Sequence, residues 1–245
     1  MLYFLKRKTA FNKIVYILLK VLVVLCMIIQ LVKGHFNNAF ICILTLILFE
    51  IPKFINKTLK LKLTPTLEIM AYFFIFAAQI LGEIKNFYEM FPNWDTILHA
   101  INGFLMGAFF LSLINVLNKE KVELSPLFIS ICTFCFSMTI GILWEFGEYS
   151  LDKYFYKDCQ KDTIVKNMIS EKINNKEILS NVKTEIYTDN RIIIIDGYLD
   201  IGLIDTMEDL FVNFLGAIIF SYFCYFYILD NKKYKFLEIF IPKSI

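Results

Sequence analysis

Six stretches of the chain, 14–32, 39–55, 66–84, 97–117, 127–151 and 208–229, are almost continuously apolar. A membrane-crossing helix needs roughly 17–25 such residues. Each stretch is too long for a buried strand, and none alternates with the period of two that a half-buried strand shows. Inside hydrocarbon the backbone must satisfy its own hydrogen bonds, and a helix does so within one segment. The expected fold is therefore all-α: a polytopic, six-helix transmembrane bundle, with 1–245 as a single integral membrane domain. Composition agrees. Apolar residues make up 58% of the chain, aromatics 17% and charged residues 20%, against about 45–50% apolar and 25% charged in a soluble domain. A water-soluble globule, a disordered chain, a collagen and a disulfide scaffold are excluded. Lys and Arg number 25 and Asp and Glu 23, for a net charge of +2, a balance that offers nucleic acid no basic surface.

The first stretch follows Lys6, Arg7, Lys8 and Lys13, but its apolar run exceeds the h-region of a signal peptide and no small-x-small cleavage site follows. It reads as a retained anchor, with Lys20 snorkelling to the interface. Short connections set the orientation. Those four basic residues, Lys53, Lys57, Lys60 and Lys62, Lys119 and Lys121, and Lys232, Lys233, Lys235 and Lys243 all fall on one side if six helices alternate. The other side has Lys33, and Lys85 among Glu83, Glu89 and Asp95. A bacterial inner (cell) membrane with both termini cytoplasmic is the expectation. The long fifth connection, 152–205, is expected to be an extracytoplasmic cap. Within it 171–182 suggests a short helix, and 183–187 with 191–195 a hairpin. Five cysteines lie in the spans and Cys159 alone in the cap. Cys132-x-x-Cys135 sits in an apolar helix and reads as core packing.

Ionisable groups in spans are expensive and usually face a bundle interior. The fourth span opens Asp95-x-x-x-His99-x-x-x-Gly103 and continues to Gly107, a spacing that keeps one stripe. The fifth closes with Gly141, Glu145 and Glu148, flanked by Trp144 and Tyr149. The sixth opens with Asp205, Asp209, Asn213 and Gly216, and the third ends with Gln79 and Glu83. Because the third and fifth spans run outward while the fourth and sixth start there, all four stripes are expected at one extracytoplasmic level. The expected site contains Glu83, Asp95, His99, Glu145, Glu148, Asp205, Asp209 and Asn213, with Gly103 in support. Carboxylates so close cannot all remain ionised unless a cation joins them. With a histidine among them, the expected cofactor is a divalent metal ion, since Asp, Glu and His suit Zn, Mn and Fe(II), and oxygen-only subsets suit Mg and Ca. The plainer readings stand beside this one. Asp95 and Asp205 fit helix N-caps, Glu83 and Glu148 fit solvated helix ends, and His99, Glu145 and Asp209 fit an interhelical hydrogen-bond network.

Asp95-x-x-x-His99-x-x-x-Gly103, Glu145-x-x-Glu148 followed by an aromatic, and Asp205-Thr-x-x-Asp209-x-x-x-Asn213-x-x-Gly216, in this order on successive helices, resemble the YjdF-type family of bacterial inner-membrane proteins. The resemblance covers the last three spans, and the first three match in hydropathy alone. Two departures are a hairpin-bearing insert in the fifth connection and Ile204 where the family has Trp. The resemblance implies a polytopic membrane protein of unassigned activity.

Three functional classes fit these residues. The first is a divalent-cation site at the extracytoplasmic face, structural or serving hydrolysis of a lipid or envelope substrate. The second is an ion- or proton-coupled transporter. Against it, no charge of comparable kind stands in the inner halves of the helices, and no broken-helix pair signals a midplane site. The third is a non-catalytic scaffold or accessory subunit in the lipid bilayer. Nucleophilic Ser–His–Asp patterns, phosphate-cradling loops and dinucleotide fingerprints do not occur.

Overall fold

The structure, a computed structural model, describes residues 2–58, 63–118, 122–175 and 177–240. Lys60, Lys62, Lys119, Lys121 and Lys243 of the charge argument lie outside the described residues, as do the side chains of residues 2–10, 115, 116 and 174. The expected architecture is present. Among the described residues, six helical segments are long and apolar enough to cross a membrane: Phe11–Val32, Phe36–Thr58, Pro65–Ile84, Trp94–Ile114, Pro126–Phe155 and Leu203–Leu229.

The first span lies in α1 (Leu2–Val32). The second is broken, contrary to the continuous helix expected from hydropathy: α2 (Phe36–Leu48) stops and α3 (Ile51–Thr58) restarts, leaving Glu50 at the break. Pro52 explains the break, because it has no N–H for the Leu48 carbonyl and its ring crowds that turn. The third span starts as α4 (Pro65–Phe76), whose Thr64 hydroxyl accepts from the Leu67 N–H at 3.3 Å. A proline at the first position costs no hydrogen bond there. It then widens into a π-helix over Ala77–Ile84. A short α5 (Phe87–Met90) leads to α6 (Trp94–Leu117), and α7 (Pro126–Phe155) follows.

Contacts divide the chain into two compact units, Met1–Gly141 with Val212–Ile245, and Ile142–Phe211. The first has two apolar cores. One gathers Leu67, Leu105, Leu111, Phe220, Cys224 and Leu237, and the other Val15, Leu19, Val23, Cys42, Phe49 and Tyr72. The chain end turns through a 3-10 segment, Lys235–Ile239, and is fastened where the Ser112 hydroxyl donates to the Phe240 carbonyl at 2.8 Å. Cys135 is exposed, so the Cys132-x-x-Cys135 pair is not wholly core as expected.

The second unit holds the insert. Three two-stranded antiparallel sheets form there among the described residues: β1 (Thr163–Val165) with β6 (Tyr198–Asp200), β2 (Met168–Ile169) with β3 (Ile178–Leu179), and β4 (Thr184–Thr188) with β5 (Arg191–Ile195). The last pair is the expected hairpin, closed at Thr188↔Arg191. The helix expected over 171–182 shrinks to α8 (Glu171–Asn174), because Asn175 adopts a left-handed conformation at φ 43° and ends it. The sixth span, α9 (Leu203–Leu229), then begins.

Candidate functional site

In the first unit the fourth-span motif forms as its spacing dictates. Asp95 lies in the first turn of α6, and the His99 Nε2 sits 3.5 Å from its Oδ1 one turn later. Both are buried, at 7% and 5% exposure. Asp95 is not the N-cap of the plainer reading, since Asn93 holds that position.

Below this pair, Gly103 lets two helices meet at their backbones. A Cβ there would strike the Asn213 carbonyl, and one at Gly216 would strike the Ala100 carbonyl. Small residues at such crossings allow close approach where no hydrophobic force drives helices together. Asn213, fully buried, accepts from the Asn102 side-chain amide at 3.2 Å and donates to the Met138 sulfur at 3.6 Å. The Ser137 hydroxyl donates to the Gly103 carbonyl at 2.5 Å, and a Cβ at Gly141 would come within 2.5 Å of the Asn213 amide nitrogen. Asn213 is thus the point where α6, α7 and α9 close on one another. Gly103 and Asn213 were expected in support, whereas Asn102, Ser137 and Met138 were not. A single Asn or Ser in an apolar helix gives no spacing to read.

In the second unit Glu145 and Asp209 are each 3% exposed, and Asp205 is buried as well. Glu148 is half-buried and accepts from the Trp144 indole N–H at 2.9 Å. Asp205 accepts the Lys161 backbone N–H at 2.9 Å, and the Lys161 ammonium stands 3.8 Å from its other oxygen. Around it the insert is fastened by carboxylates that spacing did not single out. Asp152 accepts the Cys159 and Gln160 N–H groups at 2.7 and 2.9 Å, and Asp200 accepts that of Ile204 at 2.8 Å. The Gln160 side chain donates to the Thr206 hydroxyl beside Gly202, whose φ of 116° admits few other residues. Outside this framework Asp162 is held above the ordinary carboxylate range, first by burial and then by Asp158, Asp152 and Asp200.

Glu83 is exposed, in accord with a solvated helix end. A second charged group in the first unit departs from the expectation that no charge of comparable kind stands in the inner halves of the helices. Glu50 accepts from Tyr16, from the Lys20 ammonium and, at 3.0 Å, from Lys53, and the two ammonium groups lie over the Tyr16 ring at 4.8 and 4.1 Å. Its signal was present in the sequence as a lone carboxylate and a lone lysine within consecutive apolar stretches.

The model of the family described as "Predicted membrane protein (DUF2238)" matches residues 14–230. The chain belongs to this family. The match runs through all six spans, where the YjdF-type motifs covered the last three. Over 79 residues the chain is 29% identical to an uncharacterized protein of Thermotoga maritima, a stretch that covers 32% of this chain and 40% of that protein. No solved structure matches.

For a DUF2238 protein the chemically informative residues are one imidazole and the carboxylates at the ends of α6, α7 and α9. Glu145 stands one turn beyond Gly141, Asp209 one turn before Asn213, and His99 one turn before Gly103, and these three landmarks meet within the first unit.

Proposed function

We propose that this DUF2238 protein holds a divalent cation among Asp95, His99, Glu145, Glu148, Asp205 and Asp209. The site lies at the extracytoplasmic ends of its spans, in a bacterial cell membrane with both termini cytoplasmic. Support comes from the buried Asp95–His99 pair, which stands directly above the Gly103–Asn213 crossing. The spacing adds to it: His99, Glu145 and Asp209 each stand four residues from Gly103, Gly141 and Asn213, the positions at which α6, α7 and α9 meet. Buried carboxylates at reduced dielectric either take up protons or take a cation, and neutral imidazole with carboxylate oxygens is a ligand set for Zn, Mn or Fe(II). Asp205, bridged to Lys161, serves as an outer ligand that orients the rest.

Metal analysis of the detergent-purified chain tests this. Near-stoichiometric divalent metal is expected, with His99→Ala combined with Glu145→Ala losing it while helical content by circular dichroism is retained. Metal-free protein whose melting ignores chelator removes the reading.

The broken second span favours a second function. Ionisable groups inside spans mark ion pathways in transporters, and Glu50, at the interruption, is paired with Lys20 of α1 and Lys53 of α3. Ion flux into liposomes containing the protein, abolished by Glu50→Gln, would establish transport.

A further inference from the structure

The β4–β5 hairpin carries a face that no other described residue covers. Directly opposed residues of antiparallel strands share a side, so Glu185, Tyr187, Ile192 and Ile194 stand together and Ile186, Ile193 and Ile195 stand on the other. Ile193 and Ile195 are half-buried, but Tyr187, Ile192 and Ile194 are 70%, 59% and 67% exposed. Among the described residues no third strand joins the pair. A two-stranded hairpin is marginal in water unless its apolar face is covered. The neighbouring β2–β3 pair turns out Ile169 and Ile178 in the same way.

We propose that this face lies in the lipid interface of the membrane that the spans cross. Three features of the same unit select lipid over a protein partner. The insert leaves and rejoins the spans through exposed apolar residues, Tyr154, Phe155 and Tyr156 on one side and Ile201 and Leu203 on the other. Apolar side chains are thus exposed where the insert joins the spans as well as on its hairpin. Residues 156–202 carry seven basic and eight acidic side chains, a balance that gives a charged protein little to recognise and suits a zwitterionic headgroup layer. The face also has the amphipathic character of an interfacial belt: the Tyr187 ring is exposed while its hydroxyl donates to Glu185 at 2.6 Å, leaving an apolar body with a polar tip.

The full chain in phosphatidylcholine vesicles supplies the test, with Ile194→Trp or Tyr187→Trp on the proposed face and Thr188→Trp on the opposite one. Tryptophan quenching by phosphatidylcholine brominated on its acyl chains is read as the excess over the parent protein. Excess quenching at 194 and 187 of about twofold or more over that at 188, with blue-shifted emission, is expected for an interfacial face. Equal quenching at all three positions, strong or weak, overturns the proposal. So does emission at 194 that is shielded from bromolipid while cross-linking shows self-association, which would assign the face to a second copy of the chain.

Discussion

Where α6 crosses α9, two backbones touch and no side chain could be added; where β4 meets β5, two strands stand with one face bare. Both regions belong to one chain, and the difference follows from solvent. Between helices in lipid, stability comes from close fit and buried polar contacts, so Gly103, Gly216 and Asn213 are tightly specified. The insert instead relies on carboxylates that hold backbone N–H groups, Asp152, Asp200 and Asp205, and on a few short ladders. The crossing tolerates almost no change of shape, while the insert tolerates shape and is sensitive to charge.

Substitutions can break that contrast. Gly103→Leu should have the largest effect, a loss of about 3 kcal/mol or more, because the obstructing atoms are backbone and cannot rotate away. Unfolding in mixed detergent–SDS micelles measures it, and a loss below 1 kcal/mol would show the crossing to be looser than described. Asp152→Ala should cost the insert about 1–3 kcal/mol by stranding two N–H groups. Amide exchange should quicken at residues 157–162 and leave the spans unchanged. Gly147→Ala acts in the other direction. Nothing lies within 4 Å of a Cβ there, so replacing a mid-helix glycine should stabilise by about 0.5–1 kcal/mol, seen as a higher melting temperature.

The smallest effect concerns pH. Asp162 has its folded pKa raised, so the fold prefers its protonated form. Its ionisation therefore disfavours the native insert: stability falls as pH rises through the raised value and gains as pH drops back toward the ordinary carboxylate range near 4. Asp162→Asn should flatten that part of the insert's pH profile, and an unchanged profile would place the titration elsewhere.

The spans were legible because some twenty apolar residues in a row permit few alternatives. The hairpin was legible because Thr188-Asp189-Asn190 separates two β-prone runs. The helix expected over 171–182 failed at Asn175, where an apolar rhythm masked a left-handed stop. Pairing of β1 with β6 could not be read, since its partners lie more than thirty residues apart and neither alternates over a useful length. Among the candidate residues, burial of His99, Glu145 and Asp209 followed from their depth in the spans and exposure of Glu83 from its place near an end, whereas Asp95 is buried although it opens its helix. The contacts that position them, Asn102 and Ser137 at Asn213 and Gly103, depend on which helices are neighbours, and hydropathy is silent about that.

Lys20 and Glu50 belong to consecutive apolar stretches thirty residues apart. During synthesis the first helix reaches the translocation machinery carrying an ammonium whose counter-ion has not yet emerged from the ribosome. Such a helix is a poorer passenger alone, even with its lysine drawn toward the interface. It becomes an acceptable one when the next segment arrives with its carboxylate. The first two helices should accordingly partition into lipid as a pair, and the order of their release is written into the placement of two opposite charges.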